Sequence, residues 1–280
     1  TLSTGITISG NGTQIFAGRG TMDFINAGKT ITFPVTIDAP GGTFRLGDAF
    51  TSSNQINQKK GTFNANNYNL TALKFFSSSQ TQGALFTPFT RTITMGSGLW
   101  TLSGSANVFG SDAIIWDLSA TIAGLTLNRD TANILLSDTS TRSRTFNAGN
   151  GTLSYNKLII GGATGTSTLL LSGSATFSEL ASTKTVAHTI SLGASGNIIN
   201  TWSVSGTPGN VVTINSNTVG TRRNLTLTNP TNDINYLNVK DIGETSNYKF
   251  AAGINSIDSG NNNNVYFVAS LTSGMLMLFI

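Results

Sequence analysis

The sequence contains no cysteine. Without cysteine there can be no disulfide framework and no metal site built on thiolates. The chain also has a single histidine, His188, which makes a zinc site improbable on residue content alone. We therefore expect neither a metal nor a cofactor, and 280 residues are enough to bury a sizeable core without either.

Charged residues are scarce as well. They make up 10% of the chain, against about a quarter in typical globular proteins. The 16 Lys and Arg residues are scattered, with only Lys59-Lys60 and Arg222-Arg223 adjacent, so the net charge of +4 does not mark a basic patch. We expect no nucleic-acid partner on this basis. No apolar run approaches the roughly 18 residues that a membrane span needs, so no span is expected.

Helical periodicity is missing, and strand periodicity takes its place. Segments such as KTITFPVTID (from Lys29) and RTITMGSGLWTLSG (from Arg91) alternate apolar residues with Thr or Ser. Alternation with a period of two is typical of strands with one buried face, and β-branched residues favour strands. Gly, Asn, Ser and Asp stand between these segments and are turn residues. The sequence predicts an all-β fold.

Short phrases recur along the chain. TFNA occurs twice, from Thr62 and from Thr145, and a Ser-Gly pair follows a short apolar run four times, at Ser9, Ser103, Ser172 and Ser205. Recurrence at spacings of roughly 20–50 residues is typical of stacked repeats. We therefore predict a parallel β-helix (β-solenoid) with irregular coils of about 23 residues.

This architecture divides the chain into three parts. We expect an N-terminal cap or entry coil at 1–28, a β-solenoid body at 29–267 with an inserted loop at 80–90, and an apolar C-terminal strand or cap at 268–280. Each Ser-Gly pair would lie at a bend where a Cβ atom would clash. Outward residues of successive coils would stack about 4.8 Å apart, where Thr, Ser and Asn can hydrogen-bond and like charges would repel. The low charge content follows from such stacking.

Catalytic residues are not predicted. A glycan-cleaving enzyme needs a pair of carboxylates, and the candidates here are Asp112 with Asp117 and Asp233 with Asp241. A separation of five residues places the first pair on opposite faces of a strand, whereas the second pair could meet at a corner. We interpret all four as solvated turn residues. His188, in step with Ile190 and Leu192, is expected to be structural.

The candidate contact residues lie in or near an interruption of the pattern. QTQGALFTPFT, from Gln80 to Thr90, breaks the alternation, and an interrupting loop on a solenoid is a usual place for binding. The tryptophans Trp100 and Trp202 alternate with aliphatic residues and are expected in the core, while the position of Trp116 in AIIWDL stays open. The binding residues that we predict are Phe86, Pro88, Phe89 and Trp116. A loop that only caps the groove is equally consistent with the sequence.

Several of these phrases resemble a known family. GTFNANNYNLTALKFFSSS, RTFNAGNGTLSYNKLIIGG and INYLNVKDI resemble segments of repetitive β-helix proteins that are common among tailed-phage structural and tail-fibre-like proteins. The resemblance runs from about Lys29 to Phe267. It implies a parallel β-helix that serves as a virion appendage or decoration, often as a trimer, with no catalytic residues to transfer.

The predicted function is therefore that of a non-enzymatic virion structural protein of a tailed phage. It would be a fibre or spike segment or a capsid decoration that presents a rigid, polar, adhesive surface, located on the virion and outside the cell. Expected partners are further copies of the chain, with a trimer favoured, other virion proteins and host surface glycans. Two alternatives remain: a tailspike enzyme that depolymerises glycans, and a bacterial cell-surface adhesin.

Overall fold

Parallel strands form almost all of the regular structure in the computed structural model, which describes residues 12–77, 89–104, 113–118, 122–162, 165, 167–231, 234–248 and 250–268. Within these residues the fold is all-β and contains no α-helix. The strands are β1 (Gln14–Phe16), β2 (Thr21–Phe24), β3 (Thr30–Ile31), β4 (Val35–Leu46), β5 (Phe50–Ser52), β6 (Gln55–Asn64), β7 (Leu70–Ala72), β8 (Lys74–Ser77), β9 (Arg91–Thr94), β10 (Leu99–Leu102), β11 (Ile114–Asp117), β12 (Leu125–Asn128), β13 (Asn133–Leu136), β14 (Arg144–Ile160), β15 (Thr168–Ser182), β16 (His188–Leu192), β17 (Asn197–Ser203), β18 (Val212–Ser216), β19 (Arg223–Leu227), β20 (Leu237–Lys240), β21 (Ile242–Glu244), β22 (Phe250–Ala252), β23 (Ile257–Asp258) and β24 (Val265–Phe267).

The strands pair in parallel with strands that follow later in the chain. Twenty-two of them belong to one sheet, which is curled into a half-barrel, and β22 and β24 form a separate pair. Strands β1 and β2 pair with β4, so residues 12–28 join the same sheet as the segments after residue 29. This arrangement is all-β and parallel as predicted, and it is consistent with a β-solenoid.

The spacing between paired residues is irregular along the chain, as in the predicted fold. Gln14 pairs with Val35, whereas Phe75 pairs with Trp116, so the second pair encloses nearly twice as much chain as the first. Among the described pairs of strands, β22 and β24 lie closest in sequence, with Phe250 opposite Val265. Parallel pairing fixes only the register of the strands, so loops of different lengths can leave the stack without disturbing it.

The core is a column of aromatic rings followed by aliphatic side chains. Neighbouring rings have their centroids 4.7–6.3 Å apart, from the first described strand to β15. The members are Phe16, Phe24, Phe44, Phe50, Phe63, Phe75, Trp100, Trp116, Phe146, Tyr155 and Phe177. Beyond Phe177 the positions in register with it are aliphatic, at Ile199 and Leu227, and a separate aromatic pair forms between Trp202 and Phe250. The prediction that Trp100 and Trp202 are core residues is confirmed, at 0% and 6% exposed.

At described Ser-Gly pairs a Cβ atom would clash with neighbouring atoms, as the sequence predicted. Gly173 has φ of +73°, and a Cβ atom there would lie 2.1 Å from the carbonyl oxygen of Gly149. A Cβ atom on Gly206 would lie 2.4 Å from the carbonyl oxygen of Tyr236. Neighbouring backbone therefore approaches both positions too closely for any other residue. The first Ser-Gly pair, at Ser9, is outside the described residues.

Two other predicted segments fall wholly or mainly outside the described residues. These are most of the inserted loop at 80–90, of which only Phe89 and Thr90 are described, and the C-terminal segment after Val268. No helix in the described part of the chain is both long and apolar enough to cross a membrane.

Candidate contact surface

Five threonines stack on the outer side of the sheet. They occupy partner positions on β2, β4, β6, β9 and β12, and we call this row ladder A: Thr21, Thr43, Thr62, Thr92 and Thr126. All five are half-buried or exposed, because the residues between them in the alternation point into the core. Parallel pairing places successive side chains about 4.8 Å apart. Ladder A is therefore a regular row of hydroxyl and methyl groups facing solvent.

A second polar row runs beside ladder A, two residues further along each strand. Its members are Asp23, Arg45, Asn64, Thr94 and Asn128. The two charges lie at one end and neutralise each other, since Arg45 Nε lies 2.6 Å from Asp23 Oδ1. The hydrogen bond from Arg45 lowers the pKa of Asp23 below its usual value. Asn128 Nδ2 donates to Thr94 Oγ1 at 3.3 Å. Together the two rows form a grid of ten polar side chains without net charge.

Two shorter rows repeat the pattern elsewhere on the sheet. Ladder B consists of Thr30, Thr51, Thr71 and Thr101. Ladder C consists of Thr168, Thr189, Thr213 and Asn238. Ladder B gives way to apolar residues beyond Thr101, because its next partner is Leu135. Ladder A with its flanking row is therefore the largest of the three described polar arrays.

The chemistry of the grid is hydrogen bonding by neutral groups. Hydroxyls and amides both donate and accept, so the grid can match a polar, uncharged surface such as a glycan. Its side chains are already ordered by stacking, which reduces the entropy lost when a partner binds. The grid offers no group suited to acid-base chemistry at neutral pH apart from the paired Asp23. The arrangement is suited to adhesion.

Of the predicted contact residues that the structure describes, one is buried and one is exposed. Trp116 is completely buried between Phe75 and Phe146, so it is a core residue and not a contact residue. The alternation in AIIWDL does not show whether Trp116 faces the core or solvent. The register shifts between Ile114 and Trp116, so that Ile115 and Trp116 are both buried although they are adjacent. Phe89 is 43% exposed, and Lys60 Nζ lies 4.1 Å from the centre of its ring. Phe86 and Pro88 lie outside the described residues.

The structure describes one member of each candidate carboxylate pair. Asp117 is half-buried on β11, whereas Asp241 is 2% exposed and follows β20. Asp241 is not the solvated turn residue that we expected. Its Oδ1 accepts from Asn261 Nδ2 at 2.6 Å and its Oδ2 accepts from the backbone N–H of Gly220 at 3.1 Å. The hydrogen bond from Asn261 lowers the pKa of Asp241. Asp112 and Asp233 lie outside the described residues.

Asparagines of the segment DSGNNNN join neighbouring strands. Asn262 accepts from the N–H of Ile242 at 3.0 Å and donates to the carbonyl of Val239 at 2.9 Å. Asn264 donates to the carbonyl of Glu244 at 2.9 Å. Their side chains are therefore engaged in holding the last strands together. Among the described residues there is no group of three or more His, Asp or Glu side chains that could hold a metal ion.

A buried polar cluster lies between β13 and β16. Arg144 Nε is 2.5 Å from Asp138 Oδ2, and Lys184 Nζ donates to the carbonyls of Asp138 and Gly165. His188 is 3% exposed, with its ring nitrogens 2.9 Å from Ser182 Oγ and 2.8 Å from the carbonyl oxygen of Val186. The adjoining cavity, of about 20 Å³, has room for one water molecule. This cluster is part of the scaffold and has no space for a substrate.

The sequence predicts stacked polar side chains, but it does not show which residues form each stack. The available signal was the triplets TMD, TFR, TFN, TIT and TLN, each with Thr two residues before a polar residue. A comparison with protein-family models, curated proteins and solved structures finds no match for the chain.

Proposed function

We propose that this chain is a parallel β-helix and a non-enzymatic structural protein of a tailed-phage virion, either a fibre or spike component or a capsid decoration. Ladder A and its flanking row are its contact surface, directed at host surface glycans or at neighbouring virion proteins. The observation that supports this most is the grid of ten stacked polar side chains without net charge. The phage assignment is supported by the phrases that resemble tail-fibre-like proteins.

The scaffold beneath the grid suits a mechanical role. Every pairing between the named strands of the large sheet is parallel, and most of these strands are held by hydrogen bonds to a strand on each side. The aromatic column fills the interior under ladder A with large side chains such as Phe44 and Phe63. A continuous ladder over a dense core resists local opening. The outer grid therefore keeps its spacing when force or a ligand acts on it.

A homotrimer is the assembly that we propose for the virion. A bacterial cell-surface adhesin would use the same physical properties and remains the alternative. A depolymerising enzyme is disfavoured by the surroundings of the described carboxylates, since Asp241 is buried with both carboxylate oxygens already accepting hydrogen bonds.

Immunogold electron microscopy of native particles tests the virion assignment. An antibody against this chain should label either the tail tip, which would identify a fibre or spike, or the head, which would identify a decoration. Absence of label on particles, together with label on bacterial cells, would overturn the phage assignment in favour of the adhesin. A cleared zone on host polysaccharide treated with the purified chain would overturn the non-enzymatic assignment.

A further inference from the structure

The grid formed by ladder A and its flanking row has a regular spacing in two directions. Parallel strands lie about 4.8 Å apart, which separates successive members of each row, and two residues along a strand cover about 6.6 Å, which separates the two rows. The register is unbroken at these positions. Thr43 pairs with Thr62, and two residues further on Arg45 pairs with Asn64. The same pairing continues across β9 and β12, so the grid is a lattice of about 4.8 by 6.6 Å.

Three adjacent strands of the grid carry only neutral side chains on a rigid base. On β6, β9 and β12 the six members are Thr62, Asn64, Thr92, Thr94, Thr126 and Asn128. Between them along the strands, Phe63 and Ile93 are 1% and 0% exposed, so close packing in the core fixes the backbone beneath the grid. The hydrogen bond from Asn128 to Thr94 ties β12 to β9 on the outer face. The hydroxyl, methyl and amide groups therefore hold fixed positions.

Ice has nearly the same two spacings. Its oxygen atoms are joined by tetrahedral hydrogen bonds of about 2.75 Å. Tetrahedral geometry then places second-neighbour oxygens about 4.5 Å apart and gives a lattice repeat of about 7.3 Å along the hexagonal axis. The two spacings of the grid agree with these repeats to within roughly a tenth. A face of ice that contains the hexagonal axis is also uncharged, rigid and periodic in two directions, as the grid is.

We propose that ladder A and its flanking row bind the surface of ice. The threonine hydroxyls and asparagine amides take the places of water molecules in the outermost layer of the lattice, since they both donate and accept hydrogen bonds. The threonine methyl groups lie between them and lose contact with liquid water when ice covers the grid, which favours adsorption. This activity goes beyond the proposed function and does not depend on it, because the ligand is water in its solid form.

Of the three described ladders, ladder A alone combines both spacings with a neutral surface. In ladder B the strands end one residue after the threonine, as β3 does at Ile31 and β7 at Ala72, so no second row follows within the sheet. Ladder C has a second row, but the apolar Leu170 and the charged Lys240 stand in it. Ladder C is therefore a matched control, with hydroxyls at the same spacing across the strands and without the neutral second row.

Slow growth of ice in a solution of the full chain tests the proposal. A cold finger grows ice slowly enough to exclude ordinary solutes, and the concentration of protein is then measured in the ice and in the remaining liquid. We expect at least about fivefold more of this chain than of serum albumin in the ice, because a preorganised grid adsorbs with little loss of side-chain entropy. Exclusion of the chain to the same degree as albumin overturns the proposal, and this comparison needs no variant.

A pair of single variants locates the activity on the grid. Thr92→Tyr places a ring above the middle of ladder A, and Thr189→Tyr does the same in ladder C. Tyrosine favours strands, so both variants should fold, which circular dichroism and thermal melting verify. We expect Thr92→Tyr to lose at least about fivefold in incorporation into ice, because the ring holds the lattice away from the grid, while Thr189→Tyr is incorporated normally. Thr126→Tyr, at an exposed position of ladder A, serves as a second variant with the same expected loss.

Undiminished incorporation of the folded ladder A variants, or an equal loss in Thr189→Tyr, would overturn the assignment of ice binding to this grid. The assay contains no host cell, virion or glycan. Exclusion of the chain from ice would therefore leave the proposed virion function standing, and absence of the chain from virions would leave ice binding standing.

Discussion

Trp116 and Phe146 are partners in register on neighbouring parallel strands, and their ring planes lie 4° from parallel with centroids 5.5 Å apart. On its other side Trp116 stacks on Phe75, at 5.1 Å, and its indole N–H donates to Tyr155 Oη at 3.2 Å. Trp116 is thus at the centre of the aromatic column. Parallel pairing in register brings aromatic residues into contact, and this contact aligns β8, β11 and β14.

Removal of this ring should destabilise the fold severely. We expect Trp116→Ala to cost about 3–5 kcal/mol, because it deletes a fully buried indole and leaves a cavity that rigid strands cannot close. Urea unfolding followed by circular dichroism measures the effect. Tyr68→Ala, at an exposed ring, is the control and should change stability by less than about 1 kcal/mol. Equal unfolding midpoints for the two variants would contradict the role of the column.

Two glycines with similar backbone angles should respond differently to substitution. Gly173 and Gly209 have φ of +73° and +79°, but a Cβ atom on Gly173 would meet the Gly149 carbonyl at 2.1 Å, whereas one on Gly209 would meet nothing within 4 Å. Gly209→Ala should cost about 1–2 kcal/mol, from backbone strain alone. Gly173→Ala should cost at least about 2 kcal/mol more, because backbone must move. Thermal melting of the Gly173→Ala and Gly209→Ala variants measures the difference. Similar melting temperatures would show that the backbone around Gly173 is not tightly packed.

A buried ion pair and an exposed ion pair should respond differently to the loss of their carboxylate. The side chains of Arg144 and Asp138 are only 4% and 11% exposed, so Asp138→Asn leaves a buried guanidinium without its carboxylate and should cost about 3–5 kcal/mol. The pair of Arg45 and Asp23 is largely exposed, and Asp23→Asn should cost less than about 1 kcal/mol. Chemical unfolding at neutral pH measures both. A loss at Asp23 as large as that at Asp138 would be inconsistent with this account.

Stability should fall on mild acidification because of His188. Burial lowers the pKa of His188 below its ordinary value of 6.5, while the carbonyl of Val186 opposes this shift and Lys184 reinforces it. Below about pH 6.5 the unfolded chain takes up a proton that the folded chain refuses, so folding free energy is lost as pH falls from 6.5 towards the lowered pKa. His188 is the single histidine of the chain, so the uncharged variant His188→Gln should remove this dependence.

The melting temperatures of the unchanged protein and of His188→Gln, measured between pH 7.5 and 5, test this pH dependence. Three carboxyl groups also have lowered pKa values. The hydrogen bond from Arg45 lowers the pKa of Asp23, and the hydrogen bond from Asn261 lowers that of Asp241. In Glu179 desolvation raises the pKa, but the hydrogen bonds from Lys157 and Ser203 and the charge of Lys157 together outweigh it. All three groups titrate at lower pH and affect the two proteins alike. A wild-type profile as flat as that of His188→Gln would show that burial of the imidazole has no energetic effect.

The sequence was sufficient for the strand class, for the positions that require glycine and for most of the core. Alternation gave the all-β fold, and Trp100 and Trp202 were placed correctly because each stands in a clean alternating segment. Trp116 was not, because the local shift of register at β11 breaks the alternation. Alternation in the sequence predicts which side chains face the core only where the strand is regular.

The composition of ladder A could not be predicted for a different reason. Its successive members are separated by unequal lengths of chain, and the step from Thr92 to Thr126 is nearly twice as long as the step from Thr43 to Thr62. A search for one repeat length cannot align positions whose connecting loops differ so much in length. Register is decided by strand pairing in three dimensions, and the loops obscure it in the sequence.

The most direct test of the contact surface is a comparison of two matched triple variants in a binding assay on the host bacterium. Thr43→Val, Thr62→Val and Thr92→Val together remove three hydroxyls of ladder A but keep its shape, and the same change at Thr168, Thr189 and Thr213 in ladder C is the control. We predict that the ladder A variant binds about 10- to 1,000-fold more weakly than the unchanged protein, since each lost hydrogen bond is worth about 0.5–1.5 kcal/mol, while the ladder C variant binds normally. Normal binding by both variants, or an equal loss in both, would contradict the assignment of ladder A as the adhesive surface.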